Sequence, residues 1–85
     1  MIIEIRYGFS VVAVLKAING VKNGMRTIAS YMAKNDLKDC TAFQLINGEC
    51  AGKGWRIWRT DGTYYYRLND INRKAVRIGR MEELC

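Results

Sequence analysis

The chemistry in this sequence concentrates in one short stretch, Trp55 to Leu68, where arginines and aromatics alternate around Asp61-Gly62. Asp-Gly between β-prone runs favours a two-residue hairpin turn. That turn sets Arg56 opposite Arg67 and Trp58 opposite Tyr65. One face of the hairpin then carries Arg56, Trp58, Thr60, Thr63, Tyr65 and Arg67. The other carries Trp55, Ile57, Arg59, Tyr64, Tyr66 and Leu68, a set whose composition suits a core. Two guanidinium groups bracketing an aromatic pair can grip phosphates or stack on bases. Like charges directly opposite each other repel in a sheet, and a shared anionic ligand relieves that repulsion. Arg59, beside the turn, is placed to reach a narrow minor groove. The competing reading packs Trp58 and Tyr65 under the N-terminal strand or the tail, because exposed tryptophan is uncommon.

Other chemistries find little support. The chain has no histidine, so general acid–base catalysis would fall to carboxylates, lysine, tyrosine or cysteine, and none has a partner nearby in sequence. There is no phosphate-cradling glycine loop and no nucleophile elbow. The expectation is a protein that is not an enzyme, with no cofactor and no evident small-molecule ligand. Cys40, Cys50 and Cys85 lack metal-ligand spacing, which argues against a zinc site. Three cysteines leave one unpaired in any disulfide scheme. Free thiols in a reducing compartment are the default, with a Cys40–Cys50 bridge as the alternative.

Eighty-five residues make one domain, 1–85, with a single modest core. Of the net charge of +6, the excess lies between Ala51 and Arg80, which hold eight basic and two acidic residues. A phosphate backbone is the commonest partner for such a patch, ahead of an acidic protein or an anionic membrane. The most apolar stretch, Phe9 to Ile18, is about half the length of a spanning helix and contains Lys16. The N-terminus lacks the order of a secretion signal, so an intracellular, cytoplasmic protein is expected.

Several elements must position these groups. Ile3, Ile5, Tyr7 and Phe9 alternate with polar residues, as in a half-buried strand. Val11, Val14, Leu15 and Ile18 follow Ser10 at helical spacing, although the β-branched run Val11-Val12-Ala13-Val14 could prolong the strand instead. Met25, Ile28, Ala29 and Met32 define a second helix between Gly24 and Asn35. After the polar break Asn35–Asp39, a third helix over 39–48 packs Phe43, Ile46 and Cys50 and turns Thr41, Gln44 and Leu45 outward. The tail reads as a helix with Ile71, Ala75, Ile78 and Met81 in a stripe, or as a strand over Ala75–Arg80.

Strand, helix, helix, short turn, helix and hairpin is the order of a winged helix-turn-helix domain. "TIASYMAKNDLKDCTAFQLI" resembles the second helix, turn and recognition helix of bacterial and archaeal repressors. "AGKGWRIWRTDGTYYYRL" looks like their glycine and β-hairpin wing. The resemblance runs from Val11 to Leu68, and departs from the pattern at Asn35, where a glycine is usual, and at Gly48, within the third helix. It implies an α+β fold with an N-terminal strand, three helices, a wing over 55–68 and a C-terminal helix or strand. The function expected from it is sequence-specific binding of double-stranded DNA by a small transcriptional regulator, of a size carried by viruses and plasmids. Lys38, Thr41, Gln44 and Leu45 would enter the major groove, with Arg56, Trp58, Arg59, Tyr65 and Arg67 on the backbone and minor groove. A homodimer through residues 70–85, helped by the N-terminal strand, would match palindromic half-sites. Two other functions fit the same residues: binding of RNA or single strands through the aromatic hairpin, and protein contact by an inhibitor or assembly module.

Overall fold

A computed structural model describes residues 1–68 and 76–80. Six strands and one helix follow in the order β1 (Ile2–Tyr7), β2 (Ser10–Lys16), α1 (Val21–Lys34), β3 (Asp39–Ile46), β4 (Glu49–Thr60), β5 (Thr63–Leu68) and β6 (Val76–Arg80). The strands form one antiparallel sheet in the order β2-β1-β3-β4-β5-β6. Among the described strands, only the step from β2 to β3 departs from a simple meander order. It passes β1 and contains α1, which is why the helix lies across one face of the sheet.

The winged helix-turn-helix expectation is therefore overturned. Of its three helices only the second forms. The segment expected as the first helix is β2, because Val11, Val12 and Val14 lose side-chain freedom in a helix and fit a pleated surface. The segment expected as the recognition helix, 39–48, is β3 followed by a tight turn. There Cys40 and Ala42 are buried while Thr41 and Phe43 alternate with them, a period of two rather than 3.6. Asn47 and Gly48, with φ of 51° and 79°, link β3 to β4. Two successive positive φ values suit a hairpin turn, and Asn-Gly is a strong signal for one. The same dipeptide also closes helices, and this double meaning allowed the helical reading. Of the tail, 76–80 is strand, the second of its two expected forms; the rest of the 70–85 dimerisation segment lies outside the described residues.

Helix α1 buries Gly24, Met25, Ile28, Ala29 and Met32. Against it pack Ile3 and Ile5 of β1, Cys40 and Ala42 of β3, Trp55 and Ile57 of β4, and Tyr64 of β5. Each strand sends alternate residues into this layer. Gly24 lets the helix approach closely: a Cβ there would sit 2.8 Å from Met1 Cε and 3.6 Å from Trp55 Cζ2. Neither cysteine described is bridged. Cys40 pairs with Ile57 and Cys50 with Leu45, so five residues of extended strand, roughly 17 Å, separate them, far beyond disulfide reach.

Candidate nucleic-acid interface

Among the described residues the sheet is covered by α1 on one side only, and the chemistry-bearing residues lie on the other. The Asp61-Gly62 turn, with φ of 48° and 74°, sets the β4–β5 register. Arg56 faces Arg67, and Trp58 faces Tyr65. Alternation then fixes the sides. Trp55 and Ile57 are buried under the helix, so Arg56 and Trp58 emerge on the open face, with Tyr65 and Arg67 beside them. Register extends this face inward to Thr41 opposite Arg56 and Asp39 opposite Trp58; on the outer side β6 pairs with β5.

Trp58 and Tyr65 stack on each other with ring centroids 6.1 Å apart and 20° between their planes. Both remain partly exposed and are not packed beneath the N-terminal strand; most of the tail, the other expected cover, lies outside the described residues. Arg56 forks onto Asp39, with Nη2 donating to Oδ2 at 2.8 Å and Nε to Oδ1 at 3.3 Å. This hydrogen bonding, reinforced by the carboxylate's charge, raises the Arg56 pKa further above its ordinary value. Further along the face, the Arg6 guanidinium sits 4.8 Å from the centre of the Phe43 ring and also pairs with Glu4.

Two shallow depressions meet at the Asp39–Arg56 pair. One, of about 320 Å³, is lined by Asp39, Arg56, Trp58 and Arg67. The other, of about 510 Å³, is lined by Tyr7, Gly8, Asp39, Cys40, Thr41 and Arg56. Both fall within the size of small-ligand sites. The Cys40 thiol is pushed up to about 11, mainly by burial and then by Asp39, so it stays protonated and is a poor nucleophile. Among the described residues no group of histidine, cysteine, aspartate or glutamate could hold a metal ion. Nor is any described helix long and apolar enough to cross a membrane.

The residues named from sequence divide between the two faces. Thr41, Arg56, Trp58, Tyr65 and Arg67 share the open face, joined by Leu45 farther along β3. Gln44 points the other way, lining a separate cavity with Met1, Asn19, Gly20, Val21 and Trp55. Arg59 also lies on the helix side, where it pairs with Asp36 at 3.2 Å. Lys38 is exposed just ahead of β3. Sequence reading missed Asp39, placed there at the start of a third helix, and the Arg6–Phe43 contact. The latter joins strands nearly forty positions apart, and no local pattern signals it.

No family model, curated protein or solved structure matches this chain.

Proposed function

We propose that the open sheet face binds single-stranded nucleic acid, with Trp58 and Tyr65 as the stacking platform and Arg56 and Arg67 as phosphate contacts. The observation that carries this reading is the stacked, partly exposed Trp58–Tyr65 pair next to the facing Arg56–Arg67 pair on the same face. Unpaired bases present π-faces that an aromatic surface accepts whatever the sequence, while guanidinium groups hold the backbone. A duplex fits this face less well. Six strands at about 4.8 Å spacing span roughly 24 Å, twice the width of a major groove that admits a helix or a two-stranded ribbon. In this reading Asp39 holds Arg56 flat beside Trp58 until phosphate takes over the guanidinium. Free Cys40 and Cys50 accord with an intracellular setting, where thiols remain reduced.

Affinity measured against salt concentration tests the electrostatic half of the proposal. For Arg56→Gln/Arg67→Gln, binding to a single strand should weaken, and the slope of log affinity against log salt should shrink by about 1.4, roughly 0.7 per lost phosphate contact. An unchanged slope would place the phosphate contacts elsewhere. Parallel titrations with oligodeoxynucleotide, oligoribonucleotide and duplex distinguish the nucleic-acid classes, since only unpaired bases can occupy the platform.

A further inference from the structure

We infer that β2 is a self-association edge, pairing antiparallel with β2 of a second copy to join two sheets into one. Strand β2 ends the sheet, so its outer backbone N–H and C=O groups meet no strand among the described residues. Such an edge is a template for another chain, and proteins usually blunt it with charge or proline. Here the strand reads Ser-Val-Val-Ala-Val-Leu-Lys, with its one charge at the end. Val11 and Val14 are 55% and 56% exposed, and Phe9 in the preceding turn is fully exposed. A register shift at Ile5/Arg6 disturbs the start of β2, and the Tyr31 hydroxyl already donates to the Val12 carbonyl at 3.3 Å. The regular edge is therefore Ala13 to Lys16.

The occupant is a second copy because charge and symmetry both permit it. The basic excess lies between Ala51 and Arg80, and its described members are on β4 to β6, at the opposite side of the sheet. That is roughly 20 Å away, beyond a Debye length of about 8 Å. The chain leading to residues not described also leaves from β5 and β6. A two-fold axis perpendicular to the sheet makes β2 pair with itself antiparallel. Residues opposite each other must then point to the same face, which excludes registers shifted by one. Centred on Val14, the ladder sets Val14 against Val14 and Ala13 against Leu15, and no lysine meets a lysine. The same axis leaves both helices on one side and both open faces on the other.

Sedimentation equilibrium and cross-linking test this directly. The wild-type chain should dimerise in the micromolar range, and Val14→Lys should shift it to monomer while its circular dichroism spectrum stays unchanged. In a Cys50→Ser/Cys85→Ser background, mild oxidation of Val14→Cys should give a disulfide-linked dimer, since directly opposed strand residues lie within disulfide reach. Val21→Cys, exposed on α1, should not. A monomeric wild type would overturn the inference, as would a dimer that survives Val14→Lys or equal cross-linking at both positions. None of these outcomes depends on nucleic-acid binding.

Discussion

Trp58→Ala is expected to weaken single-strand binding about 5- to 150-fold, the equivalent of roughly 1–3 kcal/mol for one lost base stack. The side chain stands on the open face with Tyr65 as its ring neighbour, and among the described residues no buried layer rests on it. Removing it should leave the fold in place and shift thermal stability little. The salt dependence should also stay as it is, because no phosphate contact is lost. Titration of an oligonucleotide with wild type and variant at two salt concentrations checks both points. A variant that binds normally would show that the aromatic pair is only a surface contact within the sheet.

Three residues earlier on the same strand, Trp55→Ala should have the opposite signature. Trp55 is 1% exposed and packs against α1. Truncating a buried tryptophan costs about 3–5 kcal/mol, against a total that for a chain this short is only several kcal/mol. Denaturant unfolding should find the variant largely or wholly unfolded, with binding lost as a consequence. Trp55→Phe supplies the milder case. Its indole Nε1 is buried without a hydrogen-bond partner among the described residues, so the phenyl ring sacrifices volume but also removes an unsatisfied donor. Phenylalanine should therefore retain most of the stability that alanine loses. If Trp55→Ala proved as stable as wild type, the assignment of faces on β4 would be reversed.

These two tryptophans show which parts of the molecule were legible in the sequence. The Asp61-Gly62 turn is local, so the facing of Arg56 with Arg67 and Trp58 with Tyr65 followed from turn chemistry and alternation alone. Helix α1 was equally legible, because Met25, Ile28, Ala29 and Met32 recur at a spacing no strand explains. The segments either side of it were not. In Asp39–Ile46, apolar residues fall at positions that satisfy both a helical face and a strand. Asn47-Gly48 then serves equally as a helix stop or a hairpin turn. The choice was made by pairing: β3 bonds to β1 on one side and β4 on the other, across separations no local window spans. The same non-local pairing brings Arg6 to Phe43 and Asp39 to Arg56. Half of the candidate interface was hidden for that reason, while the half on the hairpin was visible from the start.

The central claim is that the open face, not the helix, meets nucleic acid. Amide chemical-shift mapping during titration with an unstructured oligonucleotide addresses it most directly. The account predicts perturbations at Thr41, Arg56, Trp58, Tyr65 and Arg67, with the Trp58 indole among the strongest, and little change at Lys22, Arg26 or Lys34 on α1. Perturbations centred on α1, or none at any concentration that saturates binding, would contradict it.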